Sequence, residues 1–213
     1  MSYRYWTADI HANHGNIARY ANRPWLRRTD VDEHGQWVSV EAAKECGARM
    51  TDGLIANMNA RIGPGDCVVH VGDFLCRGSE RGIPGSGRLS FDDLLTKLNG
   101  RWTFVMGNHD RNNGVKHGFE SLVVELGKKR ALVRHVPCSA ANFELVSQLD
   151  CEFVICGHVH TYWKHCMLFG IPHINVGVDA TNYFPLTDSE VLGRLAQCRR
   201  KANEKVDSTV TAS

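Results

Sequence analysis

Short apolar runs alternate along the chain with longer stretches in which apolar residues recur every three or four positions, the pattern of strands interleaved with amphipathic helices. Tyr3 to Ala8 opens the pattern as a strand. After a polar stretch around Arg27 to Gln36, apolar side chains fall mostly at helical spacing at Ala42, Cys46, Met50, Leu54, Ile55, Met58 and Ile62. Ser39 to Ile62 is therefore expected to be a long amphipathic helix, ended by Pro64-Gly65-Asp66. The β-branched run Cys67 to Val71 reads as a buried strand, Arg77 to Arg88 as a Gly-rich loop, and Ser90 as the cap of a helix reaching Asn99. Trp102 to Met106, Ala131 to Arg134, Phe153 to Cys156 and Ile174 to Val178 supply further strands. Thr187 with Glu190 resembles a capping box for a last helix, after which residues 203–213 read as a disordered polar tail. Such alternation predicts a single α/β domain over residues 1–202, with no internal repeat.

A chain of 213 residues with 43% hydrophobic residues can bury one substantial core. No apolar run approaches the ~20 residues needed to span a bilayer, and no charged-then-apolar leader opens the chain, so a soluble, cytoplasmic protein is expected. The eight cysteines include no CxxC, and Cys67, Cys151 and Cys156 sit inside apolar runs where a reduced thiol packs as a small hydrophobe. A formal net charge of +2 supplies no concentrated basic field for nucleic acid. The eleven histidines are what sets the composition apart.

Polar groups appear where the predicted strands end: Asp9-Ile10-His11, Gly72-Asp73, Gly107-Asn108-His109-Asp110 and Gly157-His158-Val159-His160. In open α/β sheets ligands bind beyond the carboxyl ends of the strands, so these distant residues are expected to converge on one crevice. Glycine before the polar residue permits a sharp turn. Asp9 and His11, like His158 and His160, are two apart, and on extended backbone each pair would face one side. A lone histidine is ordinarily a hydrogen-bonded surface or core residue, and His34, His117, His165 and His173 take that reading. Polar groups buried at four equivalent strand ends are costly unless paired or bound to a cation, so their recurrence points to a metal site.

In this order, D-x-H, G-D, G-N-H-D, a single His and G-H-x-H resemble the motifs of the calcineurin-like metallophosphoesterase superfamily, across residues 5–186. DIHANHGNI from Asp9 to Ile17, Asn22-Arg23-Pro24, His70 to Phe74 and NVGVDATNYFP from Asn175 to Pro185 are similar to small phosphohydrolases of bacteria and phages. The resemblance implies an αββα sandwich, two mixed β-sheets flanked by helices. It also implies that Asp9, His11 and His160 hold one divalent metal, that Asn108, His135 and His158 hold a second, and that Asp73 bridges them. Oxygen and imidazole donors without thiolate suit Mn, taken first here, or Fe, Zn, Ni or Co. In such a centre the metals activate a water, and no side chain acts as nucleophile.

His109 resembles the family histidine that protonates the leaving oxygen, with Asp110 as the carboxylate that orients its ring. Asn108 and His14 are candidate substrate contacts. The segment Asp73 to Gly78 partly matches the GDxVDRG of Ser/Thr protein phosphatases, although Cys76 replaces its second aspartate. Arg77 is on that ground a candidate phosphate ligand, with Arg81 and Arg88 on the same loop behind it. For the single histidine, His135 is preferred to His117: it ends an apolar strand and precedes Val136-Pro137, whereas His117 lies in a polar, Gly-containing loop. The implied activity is hydrolysis of a phosphodiester or phosphomonoester, on a small or nucleotide-like substrate. A nuclease on the same centre is the alternative within enzymes, and would be expected to carry a basic stripe with interleaved aromatics, which the scattered Lys and Arg do not form. A binding module keeping the fold without turnover is the other alternative, and such relatives tend to lose ligands that are all retained here.

Overall fold

Residues 3–76, 79–80, 83–84 and 89–210 are described by the structure, a computed structural model. The chain runs β1 (Arg4–Thr7), α1 (Gly15–Tyr20), α2 (Val40–Arg61), β2 (Cys67–Val71), β3 (Ser79–Glu80), β4 (Ile83–Pro84), α3 (Phe91–Lys97), β5 (Arg101–Val105) and α4 (Asp110–Asn113). It continues through β6 (Leu122–Leu126), β7 (Lys129–Val133), α5 (Glu144–Gln148), β8 (Phe153–Cys156), β9 (His165–Leu168), β10 (Ile171–Asn175), β11 (Leu186–Thr187) and α6 (Asp188–Val210). The caps follow the sequence: Ser39 accepts from the Ala42 N–H at 3.0 Å to start α2, Ser90 and Asp93 cap α3 reciprocally, and Thr187 and Glu190 do the same for α6.

Two mixed sheets result. The first has the order β11-β1-β2-β5, and the second β6-β7-β8-β10-β9; β3 and β4 form a separate hairpin. Each large sheet is built on three parallel strands, β1-β2-β5 and β7-β8-β10, with antiparallel strands at one edge of the first and both edges of the second. Parallel strands are covered on both faces, which is why CVVHV and FVIC read as nearly unbroken apolar runs. Trp6, Val69, Val71 and Val105 of one sheet pack against Val133, Phe153, Ile155 and Ile174 of the other. Outside the first sheet, Tyr5, Val68 and Phe104 meet Met50, Leu54 and Met58 of α2 and Leu94 of α3. Outside the second, Leu132, Val154 and Cys156 meet Val146 of α5. Val191, Leu195 and Cys198 of α6 join the layer between the sheets. This is the αββα sandwich that the motifs imply.

The departures have local causes. Strands β6, β9 and β11, which are not among the strands expected from the sequence, are all edge strands and include half-exposed positions. The strand expected at Ile174 to Val178 lies earlier, because Val178 to Ala180 turns into a 3-10 helix after Gly177. Helix α6 continues to Val210, so its backbone runs through most of the stretch read as a polar tail. No helix among the described residues is long and apolar enough to cross a membrane. At the carboxyl ends of the parallel strands the two sheets are hooked together by backbone: Val178 N–H donates to the Ala8 carbonyl at 3.0 Å.

Candidate metal centre

The loops leaving β1 and β2 run side by side, with the N–H groups of Asp9, His11 and Ala12 donating to the carbonyls of Gly72, Asp73 and Phe74, each at 2.9 Å. This ladder continues the sheet while bending it. Asp9 (φ 57°), His11 (φ 48°), Asp73 (φ 59°), His158 (φ 71°) and His160 (φ 43°) all occupy the left-handed region, so the extended backbone expected for the two D-x-H and H-x-H pairs is not what brings them together. Close approach is the second device. A Cβ on Gly107 would lie 2.1 Å from Asp73 Oδ1, and one on Gly72, itself at φ +89°, would lie 2.4 Å from His135 Nδ1. At Gly107 the need is therefore room for a carboxylate, not a turn.

Asp110 has a different task from the one its position beside His109 suggests. Its buried carboxylate accepts the N–H groups of Asp73 and Phe74 at 2.8 Å and of Gly107 at 2.7 Å, and no hydrogen bond among the described residues joins it to the His109 ring. It pins the ends of β2 and β5 to each other.

All seven residues read as ligands come together. Asp9, His11 and His160 present ligand atoms within 4.8 Å of one another, and so do Asp73, His135 and His158. His11 Nε2 lies 3.5 Å from Asp73 Oδ2, which links the two groups, and His135 Nε2 lies 3.2 Å from the same oxygen. Asn108 Oδ1 stands 3.1 Å from His135 Nε2 and 3.0 Å from His158 Nδ1. The His135 ring is fixed from behind, where Nδ1 donates to the Val71 carbonyl at 2.8 Å and leaves Nε2 facing the cluster. Burial pushes the Asp9 carboxyl up to about 6 and holds the His11 imidazole well below its ordinary value. Burial also opposes a charge on His135, but its hydrogen bond to Asp73 and the charges of Asp9 and Asp73 outweigh it and raise it to about 9.

Behind His160 lies a pair to which the sequence motifs assign no role. His160 Nδ1 donates to Asp179 Oδ2 at 2.7 Å, and Asp179 is held by Arg23 through Nε to Oδ1 and Nη2 to Oδ2, both at 2.8 Å. Both side chains of that pair are 0% exposed. Arg23 also donates to the carbonyls of Ile10 at 3.0 Å and Asp9 at 2.8 Å, so one buried cation ties the loop of Asp9 and His11 to the carboxylate that holds His160. Arg23 and Asp179 lie inside motifs shared with the small phosphohydrolases, and the recurrence of charged residues within those otherwise uncharged stretches is the signal that marks them.

His109 directs its N–H to Asp73 Oδ1 at 3.0 Å and its ring Nε2 toward Asp73 Oδ2 at 4.0 Å, with the side chain 48% exposed. His14 is buried beside the cluster, its ring centroid 5.6 Å from that of His11. His117 is exposed and lines a separate groove along β5. Arg77, Arg81 and Arg88 lie outside the described residues. His70, on β2, is enclosed by Phe74, Trp102 and Phe104 with neither ring nitrogen hydrogen-bonded, and burial lowers it to about 3.

Residues 52–180 match the calcineurin-like phosphoesterase superfamily domain. The chain belongs to that superfamily. An uncharacterized protein of Methanocaldococcus jannaschii is 29% identical over 188 residues, covering 86% of this chain and 85% of its own. A protein of unknown function from Aquifex aeolicus shares the fold with a TM-score of 0.58 at 20% identity, over 90% of this chain and 98% of that one. An archaeal phosphodiesterase superposes with a TM-score of 0.39 at 15% identity, over 82% of each chain. Metal-dependent phosphoester chemistry is the general property of the superfamily, and the two clusters of ligand atoms are groups that can hold metal ions.

The buried Arg23–Asp179 pair generates the first prediction. Asp179→Asn leaves the guanidinium uncompensated, and the metal-free protein is expected to lose about 3–5 kcal/mol of unfolding free energy, read from urea denaturation. A loss below about 1 kcal/mol, the range of an exposed pair, would show that the pair is not sealed from water.

Proposed function

We propose that this member of the superfamily is a dinuclear metal-dependent phosphoesterase that hydrolyses a phosphodiester or phosphomonoester of a small or nucleotide-like alcohol. The observation that carries the reading is His11 Nε2, a buried ring nitrogen with no hydrogen-bond partner, 3.5 Å from Asp73 Oδ2 in a residue that also groups with Asp9 and His160. Because burial keeps that imidazole neutral, its lone pair is free for a cation, and a cation is what two neighbouring buried carboxylates require. The residues present therefore fit a metal pair. Asp9, His11 and His160 would hold one ion, and Asn108, His135 and His158 the other, with Asp73 shared; manganese is the first ion to test. When bound, two such ions supply an activated water and neutralise charge that develops on the phosphoryl group.

The chain's own groups do the rest. Asn108, on the open side of the cluster, also meets the phosphoryl group. His109, positioned by its own N–H on Asp73 and half exposed toward the opening, donates the proton that the leaving oxygen needs. Asp179 keeps His160 in the tautomer whose Nε2 faces the cluster, and Arg23 keeps Asp179 charged. His14 lies on the wall that substrate would touch.

The test of the function is turnover of bis-p-nitrophenyl phosphate and p-nitrophenyl phosphate by protein stripped with chelator and then reconstituted. Activity is expected to vanish on stripping and return with divalent metal; hydrolysis that persists without metal refutes the proposal. His135→Ala is expected to weaken the second ion at least 10-fold to 100-fold in a metal titration, the range that even indirect contacts reach, whereas His117→Ala stays silent. Full two-metal occupancy in His135→Ala overturns the ligand assignment. His109→Ala should keep both metals while turnover falls roughly 10²- to 10⁴-fold, with a smaller loss on esters of more acidic alcohols. An equal loss on all esters identifies His109 as a phosphate contact instead of a proton donor.

A further inference from the structure

The metal centre opens on two sides that differ in chemistry. On one side a cavity of about 300 Å³ is floored by His11, His109 and His160 and walled by Ile17, Tyr20 and Tyr162. No Lys, Arg, Asp or Glu is among its described lining residues. On the other side a cavity of about 360 Å³ begins at Asn108 and His135 and is lined by Arg111, Glu120 and Arg134. His109 belongs to the first cavity and Asn108 to the second, so the boundary between the two falls at the cluster itself.

A proton donor must reach the oxygen that departs, so the arm of the substrate that leaves lies on the His109 side. That side is built for an uncharged ring. Tyr162 is 87% exposed at the rim and Tyr20 is 46% exposed, with the apolar side chain of Ile17 beneath them. The exposed Tyr162 ring offers stacking surface beside the cluster, and Tyr20, whose ring carries the Arg19 guanidinium 5.3 Å from its centroid, extends the same wall. Among the described lining residues a second phosphate or a carboxylate on this arm would meet no cationic side chain. The volume stands at the low end for small-molecule sites, enough for one ring system and its sugar and too little for a run of nucleotides.

Building on the phosphoesterase reading, we propose that the cavity beside His109 is the leaving-group subsite, that it takes an uncharged, ring-bearing alcohol of about one nucleoside, and that the substrate is accordingly a small phosphodiester. In the reaction the bond between phosphorus and the leaving oxygen breaks and one to a water oxygen forms. His109 gives its proton to the leaving alcohol and recovers one from the water, and the retained arm keeps the phosphate as a monoester on the Arg111, Glu120 and Arg134 side.

The test uses metal-reconstituted protein and two competitors of bis-p-nitrophenyl phosphate hydrolysis, thymidine for the cavity and inorganic phosphate for the centre. Thymidine is expected to compete with an inhibition constant on the order of 1 mM, a weak ligand by the usual scale. Tyr162→Ala and Tyr20→Ala, both at exposed positions that leave the core intact, should each weaken thymidine about tenfold and leave inhibition by phosphate unchanged. Thymidine that fails to compete, or variants that weaken phosphate equally or weaken neither competitor, overturn the subsite. Thymidine binding is measured in parallel by saturation-transfer NMR. If metal binds but no ester turns over, the phosphoesterase reading falls, while the NMR response of the two variants still decides the cavity.

Discussion

Asp9 and Asp73 are two carboxylates held almost wholly out of water, within reach of the same imidazoles, and the local structure is organised around the cost of keeping them there. Part of that cost is met by backbone. His158 N–H donates to both oxygens of Asp9 at 3.0 Å, and His109 N–H donates to Asp73 Oδ1. The remainder falls on His135, which burial alone would leave neutral but which the two carboxylates hold protonated to about 9 when no cation is present. A metal ion entering the cluster has to displace that proton, because both satisfy the same carboxylates.

Backbone is bent to the same end. Left-handed conformations at non-glycine residues each cost on the order of 1–3 kcal/mol, and five of them are at the candidate ligands Asp9, His11, Asp73, His158 and His160. They persist because the surroundings over-determine them: the ladder between the β1 and β2 loops, the three N–H groups gathered by Asp110, and the Arg23 bonds to the Asp9 and Ile10 carbonyls. Asp110 and Arg23 thus act on the metal centre without facing it. Their substitution would release loops, whereas substitution of His11 or Asp73 would remove donors.

What could be read from sequence divides along a physical line. Parallel strands buried on both faces leave unbroken apolar runs, so β2 and β8 were visible to the residue, and polar motifs at their ends marked the crevice. Edge strands such as β9 bury only part of each side chain and merge with loops in the pattern. The pairing of Asp9 with His11 was legible from spacing, but its left-handed backbone was not, because the close approach of neighbouring chains dictates it. Adjacency misled at Asp110, whose sequence neighbour is His109 but whose partners are the N–H groups of Gly107 and of Asp73 and Phe74, the last two 37 and 36 residues earlier. The Arg23–Asp179 pair spans 156 positions, a separation at which no periodicity carries information.

The ligands of each candidate ion come from both sheets: Asp9 and His11 follow β1 while His160 follows β8, and Asp73 follows β2 while His135 follows β7 and His158 follows β8. An ion seated in either group is consequently a cross-link between the layers. Occupancy is then linked thermodynamically to the docking of one sheet on the other, worth about 2.7 kcal/mol per ion at a free concentration of 100 times its dissociation constant. Starved of metal, the chain would be a looser sandwich with a lower melting temperature, and in a cell its lifetime against proteolysis would track the supply of divalent ions.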